Sequence, residues 1–193
     1  MGRWEPNARG RLEQAALELY IERGYEQTTV AEIAGRAGLT ERTFFRHFAD
    51  KREVLFWGSG PLREHLVAAV EDAPDAAAPI EMVARAVQAV GELMGERRES
   101  ARRRRSVIDA NPELQERELI KLATLSAALA GTLRRRGVTD PAASLAAEVG
   151  LAVFKVAFER WVGDPAQPGL SQLIRESFDE LKAVTAGSRL QQR

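Results

Sequence analysis

Cysteine is absent from this 193-residue chain. Disulfides, thiol redox sensing and cysteine-ligated zinc are therefore excluded. Histidine is almost absent. Only His47 and His65 occur, too few for a histidine-rich metal site, so no metal is expected. No nucleophile–base pattern, metal-ligand spacing or phosphate-cradling loop is present, and neither a cofactor nor catalysis is expected. No sign of charge dominates: 28 basic residues balance 28 acidic ones. Overall charge gives no support to nucleic-acid binding, so that case must rest on local arrangement. Strand-favouring runs of Val, Ile, Thr and Tyr are also missing, while Leu, Ala, Glu and Arg dominate. That composition points to an all-α protein. The N-terminal stretch MGRWEPNARGRLEQ lacks an apolar signal core, and no apolar run reads as long enough to span a bilayer. The expectation is a soluble, cytoplasmic protein with no membrane partner.

What is present is helical periodicity. Over residues 7–24, Leu12, Ala15, Ala16, Leu19 and Tyr20 fall on one helical face, with Asn7 at the start and Gly24 at the end. Thr29 and Glu32 form a capping-box pattern for a second helix, and Gly38 permits the positive φ of a tight turn after it. Thr40 is a good N-cap for a short helix over about 41–48. Asp50 with Glu53 repeats the capping-box pattern, which predicts a further helix containing Val54, Leu55 and Phe56. GSGP at 58–61 interrupts it, and Pro61 suits the first position of a new helix to about 72. The spacing predicts further helices near 79–95, 96–109, 112–136, 141–163 and 170–186, with a frayed tail at 187–193.

The stretch LTERTFFRHFADK, residues 39–51, lies in the second of two short helices joined by a glycine-containing turn. That is the pattern of a helix-turn-helix, whose second helix enters the DNA major groove. Phe44 and Phe48 are four apart and share a face, so they can anchor the helix to its own core. Arg42, Arg46 and His47 are left for the opposite side, and arginine can read guanine bidentately. Thr29, Thr43 and Lys51 lie at helix starts, where hydroxyls, ammonium and free N–H groups can hold phosphates, and Thr40 stands at the start of the same helix. Glu41 can accept from a cytosine amino group or simply sit well at a helix N-terminus. Spacing alone equally allows a plain three-helix lobe with a solvated polar face.

Residues 9–56 resemble the N-terminal domain of TetR-family transcriptional regulators. The pieces that carry the resemblance are AALELYIERGY, TTVAEIAGRAGL, TFFRHF and the lysine of ADKREVL, in order and at the right spacing. The resemblance implies that Thr29, Thr43, His47 and Lys51 hold phosphates, and that Glu41, Arg42, Phe45 and Arg46 face the bases or the groove. Two positions depart from the family pattern. Arg42 stands where glycine or proline is common, and Phe45 stands where a DNA-contacting tyrosine is usual, which shifts weight to Arg42 and Arg46. The resemblance also implies two domains, 1–56 for DNA binding and 57–186 for effector binding and dimerisation. The function it implies is a homodimeric, ligand-responsive repressor on a pseudo-palindromic operator in double-stranded DNA. The competing readings are a helical adaptor with a vestigial DNA-binding lobe, or an enzyme.

The C-terminal half is similar to regulators related to the mycofactocin repressor, through RRRRSVIDANPELQER and FERWVGD…LSQLIRESFDEL. Some relatives of that kind respond to acyl-CoA compounds, so an apolar or acyl-CoA-like effector is the corresponding expectation. Trp57, Met82, Met94, Phe154, Phe158 and Trp161 are candidate pocket residues, against the alternative of ordinary core. Arg102 and Arg105 are candidates for an anionic group, although four consecutive arginines spread around a helix and cannot all face one ligand. Leu151 and Phe154, with the stripe Leu173, Ile174, Phe178 and Leu181, are candidates for a dimer four-helix bundle, against the alternative of intramolecular core. Trp57 stands beside Gly58–Ser59–Gly60, which reads as a hinge or as a passive helix end.

Overall fold

The computed structural model describes residues 7–186, so the tail expected to fray lies outside them. The described elements are helical: α1 (Ala8–Arg23), α2 (Val30–Arg36), α3 (Glu41–His47), a 3-10 turn (Glu53–Leu55), α4 (Ser59–Glu71), α5 (Pro79–Met94), a second 3-10 turn (Gly95–Arg97), α6 (Arg98–Asp109), α7 (Pro112–Arg135), α8 (Asp140–Gly163) and α9 (Leu170–Thr185). They form two compact units. The first comprises Met1–Gly58 and Ser100–Leu119, and the second Ser59–Glu99 and Ile120–Arg193. Compared with the contiguous division at residue 56, the first unit also takes most of α6 and the first two turns of α7.

Local chemistry sets the boundaries in the first unit. The Asn7 side chain accepts from the Gly10 N–H at 3.0 Å and opens α1. Thr29 and Glu32 cap α2 reciprocally, with the Thr29 N–H donating to Glu32 at 2.9 Å and the Glu32 N–H to Thr29 Oγ1 at 3.2 Å. The α2 C-terminus closes as a Schellman turn. The Leu39 N–H reaches the Ala34 carbonyl at 2.8 Å and the Gly38 N–H reaches Gly35 at 3.0 Å, with Gly38 at φ 65°. Only glycine holds that φ at no steric cost, and this turn aims α3.

The helix expected at Val54–Phe56 is a single 3-10 turn instead. The N-cap position of the turn is Arg52 and the expected Asp50–Glu53 capping box does not form as such, but Asp50 accepts from the N–H groups of Arg52 and Glu53 at 2.9 and 3.1 Å. The Leu55 carbonyl, which a continuing helix would give to residue 59, accepts from Arg104 Nε at 2.7 Å. The chain restarts at Ser59, leaving Pro61 inside the first turn of α4. The core of this unit joins Leu12, Ala16, Ile33, Phe44 and Val54 to Ile108 and Leu114, all at or near zero exposure. Residues more than fifty positions downstream thus complete it.

In the second unit α5 packs on α4, α8 and α9. Two glycines allow the approach. A Cβ on Gly150 would lie 2.1 Å from Val83 Cγ1, and one on Gly91 would lie 2.7 Å from Ile174 Cδ1. The expected dimer stripe is therefore used internally. Leu173 and Ile174 are fully buried, Phe178 is 6% exposed and Leu151 8% exposed, all within one chain, so these four cannot present a free interface. Leu181 is half-buried.

The reading that no apolar run is long enough to span a bilayer is corrected on length and composition alone. By length and composition α8 is apolar enough to cross a membrane, although it packs here against α5 and α9. Only 33% of its most apolar window is buried, and Leu145 and Val156 stand 66% and 49% exposed on its outer side.

Candidate nucleic-acid interface and effector cavity

The recognition geometry is built around α3. Thr40 opens the helix by accepting from the Thr43 N–H at 3.2 Å, and its hydroxyl lies 3.1 Å from that of Thr43. Phe44 is fully buried and Phe48 nearly so, their rings 5.5 Å apart, and they fix the helix to α1 and α2. Fixing that face leaves Glu41, Arg42, Phe45 and Arg46 exposed on the other, together with Thr29 and Thr40. Phe45 is 56% exposed, its ring held edge-on by Phe44 at 5.4 Å. Among the described residues Arg42 and Arg46 have no carboxylate partner, so both guanidinium groups are available.

His47 ends α3 half-buried, and its Nε2 is buried without a hydrogen-bond partner. Burial, reinforced by the positive charges of Arg46 and Arg9, holds it below the ordinary imidazole value. It is therefore neutral at pH 7, with a ring nitrogen that only an added group can satisfy.

Lys51 is placed differently from its expected role. Its ammonium donates to the carbonyls of Tyr25, Thr28 and Glu26 at 2.9, 3.1 and 3.3 Å and lies 4.4 Å from the centre of the Tyr25 ring. All three N–H groups are used inside the protein. In this conformation Lys51 holds the α1–α2 loop and brings no spare donor to a phosphate. The Tyr20 hydroxyl donates to the Lys51 carbonyl at 2.6 Å, and burial first, then Tyr25 and Asp50, pushes that phenol well above its ordinary range.

The arginine run of α6 also resolves into particular partners. Arg104 points into the first unit. It donates to Leu55 O at 2.7 Å and to Glu118 at 3.2 Å, and it stacks on Phe56 at 5.0 Å. Burial lowers its pKa while Glu118 opposes the shift. Arg105 pairs with Asp109 at 2.8 Å and with Glu118 at 3.4 Å. Arg102 is exposed and already has a partner. Arg117 reaches Glu53 at 2.5 Å and Arg52 reaches Glu113 at 2.9 Å, which ties α7 to the 3-10 turn. Neither Arg102 nor Arg105 lines the apolar cavity of the second unit, and both lie in the first unit. So does Trp57, which packs on the first core and donates its indole N–H to Glu13.

The second unit contains a small apolar cavity of about 10 Å³, no larger than one water molecule, lined by Leu62, Leu66, Val87, Val90, Leu125, Leu151 and Phe154. Of the expected pocket residues only Phe154 lines it, and Leu151, expected at the dimer interface, lines it too. Met82 and Trp161 are buried core, and Phe158 is stacked between Phe154 and Trp161. Met94 is half-buried at the end of α5. The sequence missed Leu62, Leu66, Val87, Val90 and Leu125, since lone aliphatic residues on amphipathic helices carry no signal that separates cavity from core.

A capped α2, a glycine turn and an anchored α3 with free arginines define a helix-turn-helix DNA-binding regulator. Residues 13–56 match the family "Bacterial regulatory proteins, tetR family", and residues 77–186, more than half of the chain, match "MftR C-terminal domain". The chain belongs to the TetR family of transcriptional regulators and carries an MftR-type C-terminal domain. TcmR of Streptomyces glaucescens, an HTH-type transcriptional regulator, is 41% identical over 45% of this chain. That match spans 41% of TcmR, under half of its length. MftR of Mycobacterium tuberculosis, described as a regulator of mycofactocin biosynthesis, is 26% identical over 95% of this chain and 93% of its own. Among solved structures, FadR of Thermus thermophilus, a TetR-family repressor in complex with lauroyl-CoA, aligns with TM-score 0.55 and 20% identity over 96% of this chain and 97% of that one. FadR of Bacillus subtilis in complex with stearoyl-CoA aligns with TM-score 0.63 and 20% identity over 89% and 96%.

Proposed function

We propose that the chain is a cytoplasmic homodimeric repressor that leaves a pseudo-palindromic operator when an effector with a hydrocarbon portion enters the second unit. The observation that carries the DNA side is the pair of unpaired guanidinium groups, Arg42 and Arg46, on a helix whose other face is locked by Phe44. In this reading Glu41, Arg42, Phe45 and Arg46 face the groove, while Thr29, Thr40, Thr43 and His47 meet the backbone. Phe45 packs on sugar or a thymine methyl in place of a tyrosine hydrogen bond.

The entirely apolar lining of the cavity supports a hydrocarbon occupant, as do the acyl-CoA ligands of the two FadR structures. At about 10 Å³ the cavity is far smaller than the roughly 300–1,000 Å³ of ligand sites. An acyl chain must therefore part α4, α5, α7 and α8, which gives it different affinities for the closed and open states and hence a means of switching. The partner copy meets the outer side of α8, where Leu145, Val149, Ala152 and Val156 recur at helical spacing.

Binding to a selected operator, followed by gel shift at several salt concentrations, tests the DNA reading. Release by lauroyl-CoA but not by coenzyme A alone is the expected effector result. The adaptor reading requires the absence of any salt-dependent, sequence-preferring complex. Leu145→Glu with Val156→Lys is expected to give monomers in sedimentation, and an unchanged dimer would move the interface elsewhere.

A further inference from the structure

We propose that Arg9, in the first turn of α1, is an additional DNA-backbone contact, oriented by the indole of Trp57. The inference rests on the DNA-binding reading above. Arg9 is exposed and has no carboxylate partner among the described residues. Its guanidinium lies 5.5 Å from the centre of the Trp57 ring. The indole is itself fixed: its N–H donates to the Glu13 carboxylate, one helical turn along α1, and the ring packs on the first unit's core. Stacking on a fixed aromatic face removes much of the freedom that an exposed arginine would otherwise lose on binding a phosphate.

The position is on the recognition side of the unit. α1 and α3 pack on each other, and the charge of Arg9 reaches His47, the last residue of α3. His47 there presents a buried Nε2 without a partner. A phosphate placed against Arg9 would accept from the guanidinium and neutralise the unpaired cation, and it would reach the buried His47 Nε2 only if that ring turned outward. Trp57 is in this view a positioning residue that does not itself touch DNA.

Titration of operator and random DNA at several salt concentrations tests this, with Arg9→Ala compared against the wild-type chain. The slope of log K against log salt is expected to fall by about two, one for each protomer of the dimer, equally on both DNAs, since a backbone contact carries no sequence information. An unchanged slope overturns the proposal, as does a loss confined to the operator. Trp57→Leu is expected to reproduce that drop in the wild-type background and to add little to Arg9→Ala. Trp57→Phe, which keeps a stacking face, is expected to restore most of the slope. A Trp57→Leu loss of equal size in both backgrounds, accompanying a lower thermal midpoint, would assign Trp57 to packing alone and refute its positioning role. If the wild-type chain shows no salt-dependent DNA binding, the DNA-binding reading itself fails. That outcome is distinct from a wild-type slope that Arg9→Ala leaves intact.

Discussion

Replacing Lys51 with methionine separates two roles that give opposite results. The ammonium makes three hydrogen bonds to loop carbonyls, at 2.9, 3.1 and 3.3 Å, and lies over Tyr25. Hydrogen bonds with a charged partner contribute about 1.5–3 kcal/mol each when well made. Here the longest is weak, the site is partly solvated, and ordering a lysine costs up to about 2 kcal/mol of side-chain entropy. A net loss of about 2–3 kcal/mol follows from these opposing terms, since methionine keeps the stem's packing and removes only the charge. For a chain of this length that corresponds to a thermal midpoint lower by about 5–10 °C. Differential scanning calorimetry on Lys51→Met measures it. The same variant, assayed below its midpoint, is expected to keep the wild-type salt slope on DNA, because no Lys51 donor is free for a phosphate. A variant with an unchanged midpoint and a slope reduced by about two, one per protomer, would refute the reasoning and return Lys51 to the DNA backbone.

Gly150→Ala places a methyl 2.1 Å from Val83 Cγ1 and is expected to cost about 1–3 kcal/mol through overpacking, with Val83→Ala restoring much of it in urea melts. A fragment of residues 1–58 lacks Val107, Ile108 and Leu114, which are buried in the first core. It is expected to show no cooperative unfolding, whereas a fully folded fragment would mean that α6 and α7 merely lean on the unit. His47 gives a pH test with a defined sign. Its folded value lies below the unfolded value of about 6.5, so the unfolded chain binds the extra proton, and His47 contributes a stability that falls as pH drops through about 6.5. DNA reverses the preference, because a phosphate beside the ring favours imidazolium. Operator affinity is therefore expected to rise from pH 8 to pH 6 more steeply in the wild type than in His47→Asn, and parallel profiles would remove His47 from the interface.

Much of the first unit was legible because local signals decide it. Thr29–Glu32, Gly38 and Thr40 each act within four residues, and the Phe44/Phe48 spacing assigns one face of α3 before any packing is known. What was not legible depends on partners distant in sequence. Leu55 ends its short turn because Arg104 takes its carbonyl, 49 residues away. Lys51 is spent on carbonyls 23 to 26 residues upstream. The stripe Leu173, Ile174 and Phe178 has the same periodicity whether it meets α5 of its own chain or a second copy. Only the depth of Gly91 and Gly150 against α9 and α5 decides between them. Phe154 reached the cavity while Trp161 did not, although spacing treats both alike.

The zero net charge, which gives no support to DNA binding, is explained by where the charges cancel. In the first unit Arg36 pairs with Glu18 and Glu22, Arg23 with Glu32, Arg52 with Asp50 and Glu113, Arg117 with Glu53, and Arg104 and Arg105 with Glu118. Most of these acidic residues are thus consumed in holding helices together, although Glu41 remains exposed on α3. Among the described residues of that unit Arg9, Arg42, Arg46 and Arg103 have no carboxylate partner, and three of these four are in α1 and α3. Exposed pairs of this kind contribute little stability each. Their larger effect is to set the local field, because each pairing removes an acidic charge that would otherwise repel a phosphate. A neutral chain can in this way present a positive recognition face, and the sign of the whole says nothing about the sign of the part.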